Sequence, residues 1–476
     1  MAVMRTGFTR LGLRAAFAGT ALAVLGALPA MAETLSDALI QAYRSSPSLE
    51  QQRLLLRVTD EDVAVAISAL RPTVNFQATY GKTIVSSDFI GQRTSTNGSL
   101  ALVLDYTLAD GGQRHLRIAA SKEAVLAARF GLVQFEQGVL LDAVSAYLDL
   151  RLAVRLVDVR ESNVRLITQQ LRAAEDRFEV GEVTRTDVAI AQSRLAAARS
   201  ALAAARGQVD VNREGYRLAI GVLPSGVLSN PPAPPALPAS VEGAQQLALQ
   251  VHPLISAGQH EITALTLLAD ARAADRLPSV SARGSLGRDR TNSNGSGSDA
   301  LSLSITGNVP IYTGGRLPAL QRQAIAQAQA ARSDLGQTSR VIVDGVGRAW
   351  AGLEVARAQV VATQQGVRSA QLAFEGFREE AQLGARTTLD VLDAEQELLD
   401  ARTDQLQAES DAQFAVYNVL ASVGLLTTEH LGLSVERYDP SVYYNAVSNA
   451  PQAVAPARPS ERGGRLDSVL RRFGRN

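Results

Sequence analysis

The sequence contains no cysteine. Disulfides, thiolate metal sites, cysteine nucleophiles and a lipid-modified N-terminal cysteine are therefore excluded. Histidine is almost as scarce. His115, His252, His260 and His430 are scattered, and the closest pair is eight residues apart. No zinc spacing, phosphate loop or nucleophile elbow appears, so the chain reads as a non-enzyme that needs no cofactor and no structural metal. Basic and acidic residues balance at 47 each, so no basic surplus points to nucleic acid. Aromatic residues make up 5% of the chain. Beyond the N-terminal segment no apolar run is long enough for a transmembrane helix.

What is present favours ordered helix. Hydrophobic residues make up 46% and charged residues 20%, and Ala, Leu, Arg and Gln abound. The N-terminus carries Arg5, Arg10 and Arg14, then an apolar stretch from Ala15 to Leu28, then "AMA" at 30–32. This is the pattern of a signal peptide over 1–32, cleaved before Glu33. An exported chain without a transmembrane helix is either soluble or spans a membrane as a β-barrel.

The chain also says most things twice. Gly181, Thr184 and Asp187 correspond to Gly384, Thr387 and Asp390, always 203 residues later. Tyr147 pairs with Trp350 and Gly221 with Gly424, while "TLADGGQ" at 107–113 matches "PIYTGGR" at 310–316. Two structural repeats follow, 33–222 and 241–426, with a C-terminal tail over 427–476 that is in part disordered. The connector, 223–240, holds six of the 17 prolines and reads as an extended spacer.

Within each repeat the hydrophobic period changes. Val74, Phe76, Ala78 and Tyr80 alternate with polar residues, while Leu100, Leu102, Leu104 and Tyr106 share one face opposite Ala101, Val103, Asp105 and Thr107. Leu301, Leu303 and Ile305 do the same in the second half. The strands expected are about 73–83, 99–109, 279–287 and 300–312. Segments of about ten residues with period two fit either a half-buried soluble strand or a transmembrane β-strand. The polar stretches 84–97 and 288–299 read as loops between paired strands.

The remainder reads as helix. Proline is absent from Gln113 to about Arg177 and from Gln321 to about Arg386. About 65 residues at ~1.5 Å each reach roughly 100 Å. Val346, Leu353, Val360, Val367 and Phe374 recur every seven residues, beside Ala349, Ala356, Thr363, Ala370 and Phe377. Leu150, Val157, Val164 and Leu171 repeat the seam in the first half. These are coiled-coil patterns. Each long helix stops at a glycine, Gly181 or Gly384, and a second helix starts at Thr184 or Thr387. Two antiparallel helical hairpins result, with tips at about 181–187 and 384–393.

Four strands cannot close a membrane barrel alone, and an open edge is not tolerated in lipid. Closure therefore requires oligomerisation, and strand number alone permits a dimer, trimer or tetramer. The arrangement of helix, strand pair, long helix and tip turn, with "VGEVTRTDVAIAQ" and "GARTTLDVLDA" at the tips, resembles the TolC family of outer-membrane export channels over nearly all of the mature chain. The resemblance implies a mainly α fold with a transmembrane β-barrel portion. Three copies would share a 12-stranded β-barrel in outer-membrane lipid and a trimeric α-barrel across the periplasm. It further implies a passive exit duct for protein secretion or small-molecule efflux, with a periplasmic adaptor protein and an inner-membrane ABC or proton-driven transporter as partners.

The tip acids have a plain role available. Thr184-x-x-Asp187 and Thr387-x-x-Asp390 fit helix capping boxes. Arg386 and Asp393 are not explained that way. In the resembling family, residues at these places close the periplasmic entrance. Arg386 is thus expected to bond Asp187 or a neighbouring tip, with Asp390 and Asp393 forming acidic rings that attract cations. Ala381 stands where family members can carry a tyrosine. The rival reading is a soluble periplasmic coiled-coil scaffold without a pore.

Overall fold

The computed structural model describes residues 33–89, 91–232, 235–291 and 297–448. The signal segment and nearly all of the last 30 residues lie outside them. The first half contributes α1 (Leu35–Ser45), α2 (Pro47–Ser68), β1 (Thr73–Ser87), β2 (Gly91–Ala109), α3 (Gln113–Glu179) and α4 (Arg185–Ile220). The second contributes α5 (Val241–Val251), α6 (Pro253–Ala274), β3 (Ser279–Thr291), β4 (Gly297–Asn308), α7 (Arg316–Gln382) and α8 (Thr388–Val423), and α9 (Pro440–Val447) follows.

The strands form one antiparallel sheet in the order β1-β2-β3-β4. Both β1 and β4 are edges. Val74 faces Leu104, Leu104 faces Gly284, and Gly284 faces Leu303 across the sheet. One step along, Phe76, Leu102, Leu286 and Leu301 form the next row. The even-numbered residues of β1–β3 and the odd-numbered residues of β4 therefore share one apolar face. It is solvent-exposed in the single chain: Phe76 is 68% exposed and Leu301 80%. The opposite face is polar, with Ser285 hydrogen-bonded to Ser302 at 2.8 Å and Arg283 Nε donating to Asp105 at 2.6 Å.

Two features of the sheet differ from the sequence reading. Among the described residues, much of the two polar stretches is strand: β1 runs to Ser87, β2 starts at Gly91, β3 continues to Thr291 and β4 starts at Gly297. Thr83, Ile84, Val85, Thr94 and Thr96 are β-branched and pair readily across a hairpin. Second, β4 ends at Asn308, so Val309 and Ile311 lie outside it. Pro310 lacks the N–H that a further ladder bond needs.

Sheet passes to helix through paired glycines. Gly111 and Gly112 have φ of +64° and +86°, and Gly314 and Gly315 repeat this at +62° and +82°. Space is also tight there, since a Cβ on Gly111 would lie 2.6 Å from Leu277. Arg114 fastens the first junction, donating to Asp110 at 2.7 Å and to the carbonyls of Ala69 and Thr107 at 2.9 Å.

Helices α3 and α7 are 67 residues each, or about 100 Å. One 18-residue window in α3 is apolar enough by composition to cross a membrane, contrary to the sequence reading. The helix itself is over three times the ~20 residues that a span requires. Seam residues Leu150, Ala153, Ile167, Val346, Leu353, Ala356 and Phe374 are buried. Leu39, Leu140, Tyr147, Tyr216 and Leu420 gather α1, α3, α4 and α8 into one core. Ala244, Val346, Leu353 and Val419 join α5, α7 and α8 in a second.

The connector is extended but anchored. Glu33 pairs with Leu228 in a parallel bridge, and its carboxylate accepts from the Tyr216 hydroxyl and from Ser225 N–H at 2.8 Å. The start of the tail is likewise packed. The Tyr443 hydroxyl donates to Glu61 at 2.7 Å, Arg57 lies over the Tyr443 ring, and Arg53 lies 4.8 Å from the Tyr43 ring and 5.4 Å from that of Tyr438.

Candidate functional site

Both hairpin tips use one backbone device. Gly181 has φ +80° and Gly384 +79°. Glu182 N–H donates back to the Arg177 carbonyl at 2.9 Å, and Gly181 N–H to Phe178 at 3.0 Å. At the second tip Ala385 bonds Glu380 and Gly384 bonds Ala381 in the same pattern. This is the Schellman closure, which needs a left-handed residue and so favours glycine.

The next helices begin on capping boxes. Thr184 Oγ1 accepts from Asp187 N–H at 3.3 Å while Asp187 Oδ2 accepts from Thr184 N–H at 2.8 Å. Thr387 and Asp390 repeat this at 3.3 and 3.0 Å. These bonds hold both aspartates below the usual carboxylate range. For each, the threonine backbone N–H is the larger cause and its hydroxyl the next. The same box, Thr34 with Asp37, starts α1, where there is no hairpin tip. Helix capping therefore accounts for the Thr-x-x-Asp pattern at both tips.

Arg386 and Asp393 have other partners. Within the chain Arg386 does not bond Asp187. Its Nε donates to Glu380 at 2.8 Å and its guanidinium lies 4.5 Å from the Phe377 ring centroid. Glu380 sits six residues earlier, at the end of α7, and the tight turn folds the arginine back onto its own hairpin. Asp393 Oδ1 accepts from Arg194 Nη2 at 2.6 Å, joining α8 to α4. Arg177 Nη1 donates to the Ala381 carbonyl at 3.4 Å, joining α3 to α7. The residue that departs from the family pattern is thus bridged through its backbone.

A few turns above the tips lies a buried polar pair. Asn163 Nδ2 on α3 donates to Glu395 Oε1 on α8 at 2.8 Å. Glu395 is 3% exposed and its Oε2 accepts no hydrogen bond among the described residues. Burial pushes its carboxyl up to about 7, with Asn163 opposing. Further up, Arg155 Nη1 reaches Glu409 Oε2 at 3.0 Å. Four contacts thus stitch the first hairpin to the second: Arg177–Ala381, Arg194–Asp393, Asn163–Glu395 and Arg155–Glu409.

Sequence reasoning missed Arg177, Arg194, Glu380, Asn163 and Glu395. The two partners of each inter-hairpin contact lie about 200 to 250 residues apart, a separation at which helical spacing carries no signal. Glu380 was findable, because a basic residue just past a Schellman turn can fold back on an acid in the preceding turn.

The apolar sheet face, the long hairpins and the duplicated tips meet in one known family. The family model for "Outer membrane efflux protein" matches residues 38–222 and 244–425. The chain belongs to the outer membrane efflux protein family. It is 36% identical over 431 residues to the outer membrane efflux protein BepC of Brucella suis biovar 1, covering 90% of this chain and 93% of BepC. It is 25% identical over 306 residues to the alkaline protease secretion protein AprF of Pseudomonas aeruginosa, covering 62% and 63%. In structure it is similar to the channel CusC, with a TM-score of 0.72 at 19% identity over 83% of this chain and 92% of that one. As a member of this family the protein is a transport duct of the outer membrane, reaching into the periplasm, and not an enzyme. Membership overturns the reading as a soluble scaffold.

Proposed function

We propose that three copies of this chain assemble into one exit duct. The observation that carries this is the open sheet. Its two edges, β1 and β4, are unpaired in the single chain, yet its apolar face is continuous across all four strands. Such a face suits lipid, and such edges do not survive there. Edge-to-edge pairing of three chains closes twelve strands with the polar face inward, and the four hairpin helices of each chain, α3, α4, α7 and α8, make a twelve-helix tube. Val74, Phe76, Tyr80, Leu100, Leu102, Leu104, Tyr106, Leu301, Leu303 and Ile305 then face lipid.

The entrance lies at the tips. Asp390 and Asp393 recur around the threefold axis and favour cations, while Arg386, Asp187 and the inter-hairpin contacts hold the tips together. The Arg386–Glu380 pair braces the inner hairpin and leaves its closure to neighbouring tips. An adaptor protein and an inner-membrane transporter, ABC-type or proton-driven, would deliver cargo. BepC is named for efflux and AprF for protease secretion, and a duct of this shape serves either.

Single-channel recording in a planar bilayer, with native mass spectrometry of the same sample, tests this. Trimers carrying a small cation-selective current support it. A folded monomer, or trimers with no current, would sink it.

A further inference from the structure

The apolar sheet face does not end evenly. Toward the hairpin ends, away from the helices, it turns basic. Leu100 lies beside Arg288, which lies beside Asp299; one row on, Tyr80, Gly98, Arg290 and Gly297 stand in line. Lys82 follows Tyr80 on the same face of β1, two residues further on. Three cations and one acid therefore share this end of the face. Arg288 and Asp299 neutralise each other through two bonds of 2.6 and 3.0 Å. Arg290 and Lys82 are left to set the local charge.

The shape here is particular. Gly98 has no side chain, and a Cβ built on it would meet nothing within 4 Å. It forms the floor of a notch between Tyr80, 80% exposed, and Arg290. The walls stand on β1 and β3, two strand spacings or about 10 Å apart. The apolar band below, from Leu108 to Leu100 on β2, spans roughly 27 Å along the strand, or about 20 Å once tilted in a barrel. That is close to the ~25 Å apolar band of outer-membrane barrels, so the notch falls at the level of lipid headgroups.

We propose that the notch over Gly98 binds a phosphate-bearing glycolipid headgroup of the outer leaflet, held by Arg290 and Lys82 with Tyr80 against its sugar. The proposal rests on the barrel reading above. Cations beside an apolar face match an amphiphile whose anionic group sits directly above its chains, and each is worth about fivefold in affinity. A guanidinium further offers a fork of donors to phosphate oxygens. The helix-side end of this face, by contrast, runs through Tyr106, Ala282 and Ile305 without a charge. The asymmetry matches a membrane whose two leaflets differ.

The test uses the full-length protein in phosphatidylcholine vesicles containing diphosphorylated lipid A or its dephosphorylated form. Flotation with the vesicles is measured first, then the lipid A retained per chain by native mass spectrometry. Wild type should retain the diphosphorylated form preferentially. Arg290→Ser and Lys82→Ser should each lower that preference about fivefold. Gly98→Leu should abolish it with every charge intact. Arg283→Ser, on the polar face, should leave it unchanged. Equal retention of the two lipids by wild type overturns the proposal, as does equal loss from Arg283→Ser and Arg290→Ser. A chain that floats but shows no preference leaves the barrel reading standing. A chain that does not float removes the barrel reading and this site together.

Discussion

Arg194 of α4 and Asp393 of α8 meet at 2.6 Å, so an acid just past the second tip is held by the first hairpin. Both side chains are about half exposed, at 41% and 57%. Such a pair contributes at most about 1 kcal/mol to folding. On the proposed reading its importance lies in where it acts, across two hairpins that would part for the entrance to widen. Arg194→Ser should leave the unfolding free energy within about 1 kcal/mol of wild type while raising single-channel conductance. Asp393→Asn should match it, and the double variant should add nothing further. Additive effects on conductance would show that the two residues act separately.

Arg386 braces its own hairpin through Glu380 and the Phe377 ring. If the entrance depends on that brace, Glu380→Gln should raise conductance as much as Arg386→Ser. A response to Arg386→Ser alone would instead identify the contact made with a neighbouring copy as the one that matters. Both recordings need only the planar bilayer described above.

Glu395 makes stability depend on pH. Its carboxyl is pushed up to about 7 in the folded chain by burial. In the unfolded chain it titrates near ~4.3. Between these values the folded state holds the proton more tightly, so stability falls as pH rises through this window. The loss is complete above about 7 and is on the order of 3 kcal/mol. Urea unfolding from pH 5 to 8, compared between wild type and Glu395→Gln, should show the drop in wild type and a flatter profile in the variant. Parallel profiles would assign the pH dependence to other groups.

Tyr216 is fully buried and donates its hydroxyl to the Glu33 carboxylate, which the connector also holds through Ser225. Burial and the neighbouring carboxylate both raise the phenol above its usual value. Tyr216→Phe strands an acceptor and should cost about 1.5–3 kcal/mol, read as a lowered urea midpoint. Ser225→Ala, which keeps its backbone bond, should cost less. A neutral Tyr216→Phe would mean that water replaces the hydroxyl.

The fold was legible because periodicity is local. Alternation in "SLALVLDYTL" specifies a strand with one apolar face wherever it packs. The recurrence every seven residues from Val346 to Phe374 specifies a helix seam, and the six residues of "VGEVTR" a stop and a restart. The strand ends were less legible. Polar residues 84–97 look like loop by composition, yet a hairpin satisfies their backbone groups as well as water does.

The sequence by itself determined two duplicated halves, four strands, two long helical hairpins and the tip caps, because each depends on neighbours within one or two turns. Only the tertiary structure decided the partners of the charged tip residues. Arg386 turns to Glu380 and Asp393 to Arg194, and a carboxylate with several reachable arginines is assigned by chain geometry, not by spacing. Tertiary structure also decided that Lys82, Gly98 and Arg290 share one end of one face, since strand register brings together residues that lie nearly 200 positions apart.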